Sequence, residues 1–98
     1  MDVTFSLRDM VFAWDDQKAA RNLRDHGFTF EEAAQTYFDP FAYYGDASPP
    51  HEKRDYIIGY SFKRELLFTV FVERDLNVRI ISAREATPKE RRTYEQGE

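Results

Sequence analysis

Cysteine is absent from the 98 residues, so neither a disulfide framework nor a thiolate metal site is possible. That absence fits a reducing cytoplasm, which is the expected location. Long apolar runs are absent too. The longest, around Leu66–Val72, falls far short of the roughly 18 residues that a transmembrane helix needs. The opening MDVTFSLRDM has neither a basic start nor an apolar centre, so no secretory signal is expected. Histidine is scarce, and His26 and His51 stand far apart, which makes a histidine-based metal site a weak reading. No Gly-rich phosphate loop and no serine-nucleophile motif occurs. The chain is therefore expected to work without a cofactor or metal.

Basic charge is in deficit. The net charge of −4 argues against broad, non-specific attachment to nucleic acid. Its distribution is uneven. Residues 1–50 hold four basic and nine acidic side chains, whereas residues 51–98 hold ten and nine. An anion-binding surface is therefore expected in the C-terminal half.

What the chain does have is apolar and aromatic weight, 42% and 16% of residues. That suffices for one domain with one core, spanning residues 1–98. VFAWDDQKAARNLRDHG begins with a short apolar piece, Val11–Trp14, then reads as a helix from Asp16 to His26. Asp15 or Asp16 serves as N-cap and Gly27 as the left-handed stop. FTFEEAAQTYFDP reads as a second helix, with a Thr29–Glu32 capping box and Pro40 as its end. FAYY is a candidate short strand, and GDASPPHEKRD reads as a loop. Tyr56–Phe62, Leu66–Glu73 and Val78–Arg84 are rich in β-branched and aromatic residues, and their short connectors predict consecutive antiparallel strands. A second capping box, Thr87–Glu90 with Pro88 at the first helical position, opens a last helix through at least Tyr94. The expected fold is α+β: two N-terminal helices, a small antiparallel sheet of three to four strands, and a C-terminal helix.

The chain ends in a dense set of phosphate-friendly groups. Arginine holds two phosphate oxygens in its planar fork and stays charged. Arg79 and Arg84 fall on the last strand, on opposite faces if that strand stays regular. Arg84 has two readings: a phosphate contact, or a structural ion pair, for instance with Glu90 or an early acidic residue. Arg91 and Tyr94 share one side of the last helix, where a core anchor and a working group are both open. His26 is either a helix-end cap or a proton donor. Lys18 and Asn22 share a helix face and read as a solvated face or a supporting polar site.

Two long motifs together carry a resemblance. W-D, K-x-x-x-N-x-x-x-H-G and F-E-E-A come first, followed by R-I-I-S-A-R-x-A-T-x-x-E-R-x-x-Y-E. The chain resembles the BrnT family of toxins of bacterial type II toxin–antitoxin systems over roughly residues 12–45 and 56–95, with residues 1–10 as an extension. The resemblance implies a RelE-like fold and a metal-independent endoribonuclease that arrests translation and growth. It also implies a BrnA-type ribbon-helix-helix antitoxin that contacts operator DNA, in an assembly with two copies of each protein. The motif positions are Trp14, Asp15, Lys18, Asn22, His26 and Gly27, then Arg79, Ser82, Arg84, Thr87, Glu90, Arg91 and Tyr94. Within that set we read Arg84 and Arg91 as holding the scissile phosphate, with Arg79 in reserve. His26 is the proton-transfer residue, Glu90 and Tyr94 its alternatives, and Trp14, Gly27 and Thr87 architectural. The competing reading is an inactive toxin-like co-repressor that only binds antitoxin.

Overall fold

The computed structural model describes residues 1–97. It contains β1 (Asp2–Leu7), β2 (Met10–Asp15), α1 (Asp16–His26), α2 (Phe30–Gln35), a 3₁₀ turn (Thr36–Phe38), β3 (Tyr43–Asp46), β4 (Asp55–Tyr60), β5 (Leu66–Arg74), β6 (Asn77–Glu85) and α3 (Pro88–Gln96). The six strands form one sheet in the order β1-β2-β6-β5-β4-β3. Each neighbouring pair is antiparallel except β2 and β6, which run parallel over Val11–Ala13 and Asn77–Arg79. This corrects the smaller, purely antiparallel sheet expected from the sequence.

The added strands come from the first fifteen residues. Val3, Phe5 and Leu7 alternate along β1 and pair across to Trp14, Phe12 and Met10. The turn between them uses Arg8 and Asp9, both with positive φ, at 48° and 70°. Such a turn suits the twist of a hairpin, but Asn and Gly are its usual signals. Residues 1–10, expected as an extension, thus form the edge strand and its turn.

The two helices form where capping predicts. Asp15 accepts a hydrogen bond from the Lys18 amide, and Gly27 closes α1 at φ 81°. Thr29 and Glu32 complete a reciprocal capping box at α2. The α-helix stops at Gln35 and tightens into the 3₁₀ turn, so the second helix is shorter than expected. Phe30, Ala33 and Ala34 of α2 pack with Phe12, Trp14 and Ile80 on one sheet face, which holds the core. Trp14, Phe30 and Ala33 are motif positions used in packing.

β6 is irregular, and that irregularity sets up the other face. Val70 pairs with Ser82 but Phe71 pairs with Ile80, which leaves Ile81 as an extra residue. A bulge of this kind resets the alternation of side chains. Arg79 faces Val72 and Arg84 faces Phe68, on the same side of β5. Arg79 and Arg84 therefore share the sheet face opposite the core, contrary to the regular-strand expectation. On that face Phe68, Val70 and Ser82 stay only half-buried.

Candidate RNA-processing site

Beyond the bulge, β2 has left β6, and a side chain takes over its pairing. The buried carboxamide of Asn22 accepts from the Ala83 amide at 3.0 Å and donates to the Ala83 carbonyl at 2.8 Å. A second donor bond reaches the Phe28 carbonyl at 3.1 Å. Asn22 behaves as one peptide unit of a missing strand. Its role is structural: Asn22 is buried, so it belongs neither to the solvated face nor to the supporting polar site that its spacing with Lys18 left open.

Arg84, the next residue, projects onto the half-exposed face. Its guanidinium lies 4.4 Å above the Phe68 ring centroid. The Glu90 carboxylate of α3 grips it with two bonds, at 2.7 and 2.8 Å, and the Glu85 carbonyl takes a third at 3.2 Å. Phe68 is itself wedged, with Tyr56 stacked on it at 4.7 Å and Tyr43 on Tyr56 at 6.3 Å. The ladder fixes the guanidinium plane by a cation–π contact. A guanidinium has five N–H donors. Three are used here, so among the described residues Nε–H and one Nη2–H have no partner. Those two form one side of the fork, the geometry that holds two oxygens of a phosphate. Arg84 is 37% exposed, so the free side is accessible.

Glu90 is tuned for this grip. Burial alone would raise its pKa, but the bonds from Arg84 and the Thr87 amide outweigh burial and hold it below the usual glutamate value. Hydrogen bonding to Glu90 in turn raises Arg84 further, against burial. Glu90 is thus an ionised clamp. The structural ion pair and the phosphate contact, which the sequence left as alternatives, are compatible on one side chain.

Further along α3, Tyr94 donates to Asp39 Oδ2 at 2.7 Å. The same carboxylate receives the Tyr60 and Phe41 amides at 2.9 Å each. Burial and the Asp39 bond push the Tyr94 phenol well above its ordinary range. Arg91 donates to the Tyr60 hydroxyl at 3.2 Å, and the Tyr60 and Tyr94 rings meet edge-on at 5.4 Å. Arg91 forms no carboxylate pair among the described residues.

Two candidates lie apart. Arg79 is held by a double bond to Asp2, at 2.9 and 3.1 Å, roughly 13 Å along β6 from Arg84 by strand rise. His26 lines a shallow groove of about 250 Å³ with Lys18, Arg21, Asn22, Asp25 and Ile81, away from the α3 contacts. The structure therefore brings together Arg84 with Glu90, and Arg91 with Tyr94 through Tyr60, all around α3. Phe68, Asp39 and Tyr60 were missed. Phe68 was hidden in a strand apolar on both sides, and Asp39 read only as part of a helix stop. No set of three His, Cys, Asp or Glu side chains gathers as a metal site among the described residues. Among the described residues, no helix is long and apolar enough to cross a membrane.

A half-open mixed sheet, backed by two helices and flanked at one end by an arginine-bearing helix, defines the class of fold. The crystal structure of the Brucella abortus ribonuclease toxin BrnT shares it, with a TM-score of 0.57 at 19% identity, over 76% of this chain and 92% of that one. A family model described as the ribonuclease toxin BrnT of type II toxin–antitoxin systems matches residues 14–90. The chain belongs to the BrnT family of ribonuclease toxins of type II toxin–antitoxin systems. No match was found among curated protein sequences. Membership in a type II system implies an antitoxin partner.

Proposed function

We propose that the half-open sheet face cleaves RNA without a metal: a 2′-hydroxyl gives up its proton and attacks the adjacent phosphorus, the P–O5′ bond breaks, and the 5′-oxygen leaves with a proton, giving a 2′,3′-cyclic phosphate and a 5′-hydroxyl. The observation that carries this reading is the free side of the Arg84 fork, held in place by Phe68 and Glu90. In such a reaction, charge builds on the phosphoryl oxygens, and a preorganised cation stabilises it without moving. Arg84 supplies that cation and Arg91 a second one. Glu90 and Tyr94 are positioning residues, because the oxygens of one and the proton of the other are already committed.

Proton transfer falls to His26 in this proposal. Asn22 touches Ala83, the residue before Arg84. His26 is four residues further along the same helix face, one turn on, in the groove that Ile81 of β6 also lines. The chain is further proposed to be kin to RelE ribonucleases, to arrest translation, and to be neutralised by a BrnA-type ribbon-helix-helix antitoxin in a two-plus-two assembly. One observation favours the competing reading of an inactive co-repressor: three of the five Arg84 donors are already spent inside the protein.

Expression without antitoxin separates the two readings. The enzyme stops growth and degrades RNA, and Arg84→Ala relieves both. Intact RNA beside tight antitoxin binding would instead establish the co-repressor.

A further inference from the structure

Beside α3 lies a cavity of about 450 Å³ that the cleavage chemistry does not use. The curl of the sheet around α2 brings the β1–β2 turn to the β4–β5 turn there, so that Arg8 meets Phe62. Phe38, Phe41, Phe62, Tyr60 and Tyr94 wall the cavity. Phe41 is 76% exposed and Phe62 50%, an unfavourable outlay of aromatic surface for a small domain. Two cations border it. The Arg8 guanidinium sits 5.3 Å from the Phe38 ring and 4.8 Å from the Phe62 ring. Arg64 lines it as well. Neither arginine has a carboxylate partner among the described residues, and both adopt the left-handed backbone, at φ 48° and 65°. Strained residues of this kind gather at binding sites.

We infer that this cavity is a nucleobase site, which takes one unpaired base of the RNA strand next to the cleaved phosphate, and that Gln35 reads that base. The inference rests on the ribonuclease reading above. Aromatic walls bordered by arginines suit a flat base with a charged backbone, and single-stranded RNA is recognised by such stacking. The volume lies in the range of small-ligand sites. Position adds to this: Tyr60 and Tyr94 belong both to the cavity and to the contacts that fix Arg91 and α3. A base seated here is held by the same helix that carries Arg91 and that grips Arg84 through Glu90.

Gln35 supplies the selection. Its Oε1 accepts the Phe62 amide at 2.9 Å, which leaves the amino end of the carboxamide as a donor without a partner among the described residues. A fixed donor favours a base with a carbonyl on its edge. Uracil, guanine and cytosine have one, and adenine does not. A site built to hydrogen-bond a group rejects the analogue lacking it.

The test is cleavage of a pool of short RNAs randomised around the cut, with the products sequenced, alongside kinetics on one RNA. The wild-type chain is expected to disfavour adenine at one position flanking the cut. Gln35→Glu keeps the acceptor for Phe62 and removes the donors, so that preference disappears. Phe41→Ala and Phe62→Ala raise KM about ten-fold with little change in kcat, the size expected for one lost stacking contact. Thermal melts confirm folding, and Phe41 is exposed enough to be truncated safely. Cleavage with no flanking preference and unchanged KM in both Phe variants overturns the nucleobase site and leaves the ribonuclease reading intact. Loss of antitoxin binding in these variants at unchanged KM overturns it in favour of a protein dock. If the wild-type chain cleaves no RNA, the reading beneath it fails first.

Discussion

Arg84 is valuable because it is held on two sides and free on a third. Phe68 fixes its plane, Glu90 fixes its rotation, and the remaining N–H pair faces outward. Glu90→Gln should therefore lower kcat by roughly ten-fold while leaving RNA binding nearly intact, since a neutral amide cannot accept two bonds from the guanidinium. The pH dependence follows from the sign of the shift. Glu90 is depressed in the folded state, so the clamp contributes stability above the ordinary value of 4.5 and loses it as pH falls through the lower folded value. Activity limited by this pair should hold through neutral and mildly acidic pH and fail only below the usual glutamate range. A pH–rate profile overlaid on a pH–melting profile checks this, and a melting temperature that already falls at pH values well above the usual glutamate range would contradict it. At Asn22 the effect is on stability. Asn22→Leu leaves the Ala83 amide and carbonyl buried without partners, at a cost of about 3 kcal/mol in urea unfolding. A change under about 0.5 kcal/mol would mean that water replaces the carboxamide there.

α3 carries three residues of the proposed site, Glu90, Arg91 and Tyr94, and it is attached unlike the others. None of its residues is fully buried. It is tied down by Glu90 to Arg84, Arg91 to Tyr60 and Tyr94 to Asp39, so its attachment is largely polar. Tyr94→Phe removes one tie and should cost only about 1 kcal/mol in global stability. Amide exchange in α3 should nonetheless rise more than in β5, because such an element opens locally. Equal exchange changes across β5 and α3 would show that α3 unfolds only with the whole. The elements also differ in how plainly the sequence announces them. The three helices declare themselves through Asp15, Thr29, Thr87 and Gly27, because caps are local chemistry. β4, β5 and β6 declare themselves through dense β-branched and aromatic runs with short connectors. β1 and β2 do not, since Arg8 and Asp9 make a left-handed turn without its usual residues. The parallel pairing of β2 with β6 joins segments some 65 residues apart and has no local signature. The Ile81 bulge is likewise a property of two strands together, and it alone decides that Arg79 and Arg84 share a face.

For the whole molecule, the acidic balance of −4 is compatible with the proposed reaction, because the cations proposed to hold the phosphate are few and fixed. Of the sequence-derived site, Arg84, Glu90, Arg91 and Tyr94 gather around α3, whereas Arg79 is tied to Asp2 and His26 stands in the α1 groove. RNA binding that relies on about two phosphate contacts should show a shallow salt dependence, with a slope near −1.5 in log K against log salt. A slope steeper than about −4 would require a broad basic surface that this fold does not present. The most direct measurement is kcat/KM of purified Arg84→Lys on a defined single-stranded RNA, compared with the wild-type chain. Lysine keeps the charge and a bond to Glu90, and the fold with it, but has no planar fork. The account predicts a loss of roughly 100-fold or more at an unchanged melting temperature. Retention of activity within about three-fold would contradict it, because a point charge would then suffice where a fixed fork is claimed.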